Sequence, residues 1–355
     1  MSIMVKEILA MAESALKEAG CMDPKLDAER LFQYQYNIDN TGLFLMKTKK
    51  LDQKEAENYF ELLDIRLAGM PLQYITGSQE FMGLSFKVNE NVLIPRQDTE
   101  TLVETALDYM KWADVGQNPE ADYDYVNKLS NGESQDQGQN QDQESTQEST
   151  QEQGNAIDNK NNRKRKKKSK KRKPKHKGEW KVLDLCCGSG AIGISLIHHS
   201  VEAGKKIKVT ASDVSQKAIS VAIDNAAKLK MEKQMNFVRG DLFQPFKKRF
   251  SKQKFDLIVT NPPYIKSREI PTLQREVKDH EPMLALDGGE DGLDFYKIIM
   301  LEAKDYLGKG GMLMMEIGHD QGADIAEIFD RNGKYSKFRV VKDLAGHDRV
   351  AIITY

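Results

Sequence analysis

The rhythm of apolar and polar positions changes twice along the chain. At first it is helical. Ile3, Ile8, Leu9, Ala12, Ala15, Leu16 and Ala19 share one stripe that stops at Gly20, the pattern of an amphipathic helix with a glycine stop. Asp23-Pro24 opens a second helix, with Asp23 as N-cap and Pro24 in the first turn. It carries Leu26, Ala28, Leu31, Phe32 and Tyr36. A third, from about Asp52, runs through Ala56, Tyr59, Phe60, Leu63, Ile65 and Leu67 to Gly69. Residues 1–70 thus read as a small helical domain whose methionines and aromatics are core. The short runs in residues 71–97, broken at Glu90-Asn91, predict a hairpin-like connector. Asp98 or Thr99 then caps a helix bearing Leu102, Val103, Ala106, Leu107 and Met110.

From about Gly116 to Gly178 the rhythm is lost. Residues 131–162 are mostly Gln, Glu, Asp, Ser and Asn. Every residue from Arg163 to Lys177 is then Lys or Arg except Ser169, Pro174 and His176. Such a segment buries too little surface to offset its ordering entropy, so 116–178 is expected to be a disordered insertion. Beyond it strands and helices alternate. Strands are predicted at 181–185, 207–212, 235–239, 255–260, 311–317, 338–342 and 349–354. Helices are predicted at 190–203, 215–229, 293–307 and 319–332. Together, 98–115 and 179–355 predict an α/β, doubly wound, mostly parallel seven-stranded sheet, the last strands supplying an antiparallel edge.

Composition sharpens this picture. The 53 basic and 54 acidic residues give a net charge of −1, but so many bases sit in one tract that the remainder is an acidic protein. No apolar run is long enough to span a membrane, and the N-terminus lacks the order of a signal peptide. Three cysteines, Cys21, Cys186 and Cys187, form neither a disulfide framework nor a CxxC pair. A reducing cytoplasm is the expected setting.

The chemistry gathers at Phe255-Asp256-Leu257-Ile258-Val259-Thr260-Asn261-Pro262-Pro263-Tyr264. A buried strand ends at two prolines, which lack N–H groups and fix their own φ, making a stiff corner. The Asn261 side-chain oxygen and the Pro262 carbonyl are both acceptors and together match both hydrogens of a planar NH2 group. An amide nitrogen is a poor nucleophile. Two fixed acceptors orient it and stabilise the positive charge it gains on attack. Val182 to Gly193 reads as strand, glycine turn, helix, a form shared by dinucleotide and nucleoside binders. Asp213 ends the next strand, where a carboxylate accepts ribose hydroxyls, or else caps the helix at 215. Gly240-Asp241-Leu242-Phe243 ends the third strand, in place to border an adenine. The first loop has no lysine, so it is not a triphosphate P-loop.

These residues resemble the class I S-adenosylmethionine-dependent methyltransferases (Rossmann-like) and, within them, the HemK/PrmC family, which methylates a glutamine amide nitrogen in peptide chain release factors. The resemblance is carried by Pro71–Gly77, Ile94-Pro95-Arg96-Gln97-Asp98-Thr99-Glu100, the loop at 186–190 and Asn261-Pro262-Pro263-Tyr264. It continues through Glu281-Pro282, Gly288–Tyr296, Glu316-Ile317-Gly318 and Lys342–Arg349. It implies that Cys186, Cys187, Gly188, Ser189 and Gly190 line the methionine part of the cofactor. Asp213 would hold its ribose, and Asp241 and Leu242 border its adenine. Asn261, Pro262, Pro263 and Tyr264 would hold the substrate glutamine, Tyr264 packing beside the amide, with no metal and no covalent intermediate. Three departures stand out. The family usually has Gly and Thr at Cys186 and Cys187, which makes this loop bulkier and open to oxidation. Gln97 replaces a common proline, and the long insertion is atypical. Rival readings are a ribosomal-protein glutamine methyltransferase, an N6-adenine methyltransferase acting on an extruded base, and an RNA- or ribosome-tethering role for residues 163–177.

Overall fold

The helical periodicity at the N-terminus becomes the 14-residue helix α1, Val5–Glu18, with Val5, Ile8, Leu9, Ala12 and Leu16 inward. The structure is a computed structural model and describes residues 2–115, 176, 178–249 and 254–355. The described residues up to Tyr109 and from Gly178 onward form one compact unit. The expectations of disorder at 116–178 and of RNA contact through 163–177 fall on residues that, apart from His176 and Gly178, lie outside the described ones.

Helices α2 (Pro24–Tyr36), α3 (Asn40–Met46) and α4 (Gln53–Leu67) pack with α1. Their core includes Leu16, Leu31, Phe32 and Tyr59, all buried. Two features went unread in the sequence. Strands β1 (Ser2–Met4) and β2 (Lys50–Asp52) pair antiparallel, and at three residues each they are too short to show a period. Helix α3 is a seven-residue turn capped by Asp39, which accepts the Gly42 N–H at 2.7 Å. Asp23 sits at the expected N-cap of α2, but its side chain makes no capping bond. Helix α5 (Leu72–Thr76) leads into the hairpin of β3 (Ser78–Phe81) and β4 (Leu84–Lys87). After one 3₁₀ turn, Gln97–Thr99, helix α6 runs from Glu100 to Val115.

The main sheet uses β5 (Trp180–Leu185), β6 (Ile207–Asp213), β7 (Met235–Arg239), β8 (Phe255–Thr260), β9 (Leu307–Glu316), β10 (Lys337–Lys342) and β11 (Asp348–Thr354). Their order is β10-β11-β9-β8-β5-β6-β7. The α/β, mostly parallel seven-stranded sheet is as expected. The last two strands form the antiparallel edge as expected, with β11 antiparallel both to β9 and to the outermost strand β10. Helices α7 (Ala191–Glu202), α8 (Gln216–Lys228), α9 (Phe246–Arg249), α10 (Arg275–Lys278), α11 (Asp294–Glu302) and α12 (Gly322–Asn332) fill the connections. Strand β9 starts four residues before its predicted place because Gly308 to Gly311, which reads as a turn, belongs to it; the register slips against β8 between Phe255 and Leu257.

Candidate active site

Strand β5 lies beside β8 in parallel register, with Leu185 opposite Thr260. The chain builds β6 and β7 on one side of β5, then crosses back to start β8 on the other. Ligands of open α/β sheets bind at such a switch point, at the carboxyl ends of the strands. The next residue after each of these strands begins a loop, so strand pairing alone sets the glycine turn beside the Asn-Pro-Pro corner. A cleft of about 390 Å³ opens there, within the range of small-molecule sites. Cys186, Cys187, Gly188, Ser189, Asp213, Asp241, Leu242, Asn261 and Pro263 line it, opposite Pro95, Arg96, Thr99, Pro282 and Leu284. Gly190, Pro262 and Tyr264 do not.

Gly190 instead turns the chain into α7, where an added Cβ would come 3.1 Å from Ala222 Cβ. Cys186 has φ +57° and Gly188 φ +52°; for the glycine this region is free, for the cysteine it is strained. The Gly188 N–H donates to Asp213 Oδ2 and the Ser215 N–H to Asp213 Oδ1, both at 2.9 Å. Burial raises the Asp213 pKa and these backbone donors draw it down. Each carboxylate oxygen keeps a second lone pair, so capacity for hydroxyls remains. Ser215, not Asp213, caps α8, its hydroxyl accepting the Ala218 N–H at 3.2 Å. Burial pushes both loop thiols well up. Thiolates are the oxidisable form, so burial works against oxidation of this pair.

At the corner, Asn261 Nδ2 donates to Thr99 Oγ1 at 3.3 Å, which leaves Oδ1 for the cleft. Tyr264 was expected beside the target amide. Its hydroxyl turns inward and donates to Glu316 Oε1 at 3.3 Å, while its backbone carbonyl accepts from Gln321 Nε2 at 3.1 Å. Glu316 is 1% exposed, and burial pushes its pKa up to about 7, against the pull of Thr99, Arg349 and Tyr264. The glycines at 288 and 292 back the corner: a Cβ would lie 2.7 Å from Tyr264 Cα at Gly288 and 2.5 Å from the Tyr264 carbonyl at Gly292.

Residues 7–77 match the model of the PrmC N-terminal domain and residues 176–347 that of a methyltransferase domain. The chain is similar to the release factor glutamine methyltransferase of Clostridium acetobutylicum, 33% identical over 348 residues, 98% of this chain and 97% of that one. That of Moorella thermoacetica is 32% identical, covering 97% and 96%. The one from Geobacter sulfurreducens is also 32% identical, covering 98% and 95%. The chain belongs to the release factor glutamine methyltransferase family. Motifs of this family that lie far apart in sequence meet in pairs. Arg96 binds the buried Glu281, whose other oxygen accepts the Ile94 N–H at 3.3 Å. Arg349 reaches Asp98 and Asp343, each at 3.0 Å.

Three residues were given no role at the site from sequence. Thr99 read as a helix cap and as part of a family motif. Glu316 carried a signal, a carboxylate closing a run of buried apolar residues. Asn225 on α8 gave none; it is fully buried, accepts the Lys87 N–H at 2.6 Å and donates to the Lys87 and Ser189 carbonyls at 3.0 and 2.9 Å. It ties the hairpin to the glycine loop. Among the described residues, one group with metal-ligand spacing, His198, His199 and Glu202 on α7, lies apart from the cleft lining.

Proposed function

We propose that this chain transfers a methyl group from S-adenosylmethionine to the side-chain amide nitrogen of a glutamine in peptide chain release factors, modifying the machinery of translation termination. One observation carries the reading. The Asn261 carboxamide, its nitrogen taken by Thr99, presents an oxygen acceptor to the cleft beside the glycine turn.

The cleft fits the cofactor. Backbone can approach a ligand closely at Gly188, where an added Cβ would meet nothing within 4 Å. Asp213 offers lone pairs for ribose hydroxyls, and Leu242 and Ala218 give an apolar wall for an adenine. We assign Cys186, Cys187, Gly188, Ser189, Asp213, Asp241 and Leu242 to this role, with Gly190 shaping the turn. S-adenosylmethionine, when bound, supplies a methyl on a cationic sulfur, an electrophile that needs no strong base to activate the amide. Asn261 Oδ1 accepts one amide hydrogen from the cleft, and the other is assigned to the carbonyl of the adjoining Pro262, which does not itself line the cleft; together they fix the plane of the group and stabilise the charge that develops on nitrogen. The amide proton leaves to water afterwards. Pro262 and Pro263 hold the corner stiff, and Tyr264 braces it from behind through Glu316. In this scheme residues 1–70 recognise the protein substrate, 71–97 connect, and 98–115 with 179–355 carry the chemistry.

The test is methyl transfer from labelled cofactor to a purified release factor, a ribosomal protein and DNA in parallel. Labelling of a release-factor glutamine supports the proposal. Labelling only of the ribosomal protein or of adenine would replace it with one of the rivals.

A further inference from the structure

We propose that His198, His199 and Glu202, at the end of α7, form a surface site for one divalent metal ion of the zinc class, separate from the catalytic cleft and taking no part in methyl transfer.

The donor set selects the ion. Calcium and magnesium take oxygen ligands, whereas two imidazoles with a carboxylate suit zinc and its neighbours. Consecutive residues on a helix ordinarily diverge, because each step turns by about 100°. Here the two histidines converge instead. Their rings meet edge to face with centroids 5.0 Å apart, and both reach the same carboxylate. His198 Nε2 lies 3.2 Å from Glu202 Oε1, and His199 Nδ1 lies 3.4 Å from Oε2. One ligand atom from each residue lies within 4.8 Å of the other two. Zinc bonds of about 2.0–2.2 Å in a tetrahedron set ligand atoms roughly 3.3–3.5 Å apart. Both imidazole–carboxylate contacts are near that spacing, and small rotations of these partly exposed side chains close the rest. Three protein donors leave the fourth position to water.

Hydrogen-bond accounting separates this cluster from an ordinary surface ion pair. The other nitrogen of His199, Nε2, lies 3.2 Å from the Met82 carbonyl. A carbonyl only accepts, so Nε2 carries the hydrogen. In the neutral ring Nδ1 is then a bare lone pair, and it faces a carboxylate oxygen that also only accepts. Two acceptors 3.4 Å apart call for a positive centre between them, either a metal ion or a second ring proton. A histidine whose far N–H is held by a backbone carbonyl has its tautomer and ring angle set for a metal on the near nitrogen. The helix adds to this. Glu202 closes α7, where the macrodipole is negative and favours a cation. Met82 carries the effect onward: it sits in the turn between β3 and β4 at φ +51°, and its N–H donates to Glu100 Oε1 at 2.6 Å. An ion on Nδ1 polarises the ring and strengthens the Nε2–H bond, so occupancy ties the hairpin turn to α7.

The experiment uses the full chain without an affinity tag, as wild type, His198→Ala, His199→Ala and Glu202→Gln. His319→Ala, from a separate histidine pair with His347, is the control. Zinc chloride is titrated by calorimetry at neutral pH, cobalt chloride is followed by visible absorption, and amide hydrogen exchange is read on the β3–β4 hairpin with and without zinc. Wild type is expected to bind zinc, to give the visible band of a four-coordinate cobalt site, and to exchange its hairpin amides more slowly when zinc is present. Losing even an outer partner of a metal site costs about 10–100-fold in affinity, so each of the three ligand variants should weaken binding by about tenfold or more and lose the cobalt band. His319→Ala should match wild type. Glu202→Gln, at a position 61% exposed, keeps the test if a histidine variant fails to fold. A wild type that binds no zinc leaves only a proton between the two acceptors and overturns the inference. Zinc binding that survives unchanged in folded His199→Ala or Glu202→Gln places the ion elsewhere and overturns it too.

Discussion

Arg66, near the end of α4, joins the N-terminal helices to the segment that follows the Asn-Pro-Pro corner. It is 3% exposed. Its Nε donates to Asp27 Oδ2 at 2.7 Å, its Nη1 to the Met70 carbonyl at 3.1 Å, and its Nη2 to Glu276 on α10. Replacing it with methionine keeps most of the buried volume, so the cavity cost is small. What remains is Asp27, 7% exposed and without its cation. Breaking a buried ion pair from one side typically costs about 3–5 kcal/mol. That is the deficit expected at neutral pH for Arg66→Met in urea unfolding. The deficit should depend on pH in a fixed direction. Burial already raises the folded Asp27 pKa while Arg66 lowers it. Without Arg66 that pKa rises further. A carboxyl with a raised folded pKa contributes stability below its unfolded pKa of 3.8 and loses it as pH climbs through the folded value, so the variant should approach wild type in acid. Adding Asp27→Asn should recover part of the loss, as coupled partners do. An Arg66→Met protein within about 1 kcal/mol of wild type at pH 7 would refute the assignment of a buried ion pair here.

Other perturbations follow from the same contacts. Cys186→Gly removes a non-glycine residue from φ +57° and should raise stability by up to about 1 kcal/mol in thermal melts, with cofactor affinity unchanged. Asn225→Ala strands three backbone groups bound at 2.6, 3.0 and 2.9 Å. It should cost about 3 kcal/mol and weaken cofactor binding, because Ser189 lines the cleft. Asp184 is wholly buried under α7, and burial raises its pKa to about 8 although the Gly193 N–H at 3.0 Å opposes the shift. Its contribution is present below 3.8 and fades as pH rises through about 8; Asp184→Asn should flatten that decline in melts taken across the range.

Much of the sheet was legible because its strands are buried on both faces and punctuated cleanly. The strands at 235–239 and 255–260 match their predicted bounds. The site's two halves were legible for the same reason: each follows such a strand, and glycines or prolines mark the stop. Less visible were features whose partners are distant in sequence. Thr99 and Asn261 lie on the 3₁₀ turn before α6 and at the β8 corner, 162 residues apart, and only the folded chain brings them together. The partner of the Tyr264 hydroxyl was not legible because a motif fixes where a side chain starts, not which way it turns; here the hydroxyl donates to a buried carboxylate. Helix α12 begins later than its apolar pattern suggests because Gln321 folds back to accept the Gly318 N–H at 2.9 Å.

The central claim is that Asn261 orients a substrate carboxamide and does little else. The most direct measurement is therefore made on Asn261→Ala: kcat for methylation of a release-factor glutamine, with S-adenosylmethionine affinity taken on the same protein. Loss of a preorganised electrostatic contact at a reacting atom predicts a fall of about a hundredfold or more in kcat, with cofactor affinity close to wild type. Near-normal turnover, or a lost cofactor affinity that accounts for the whole defect, would contradict it.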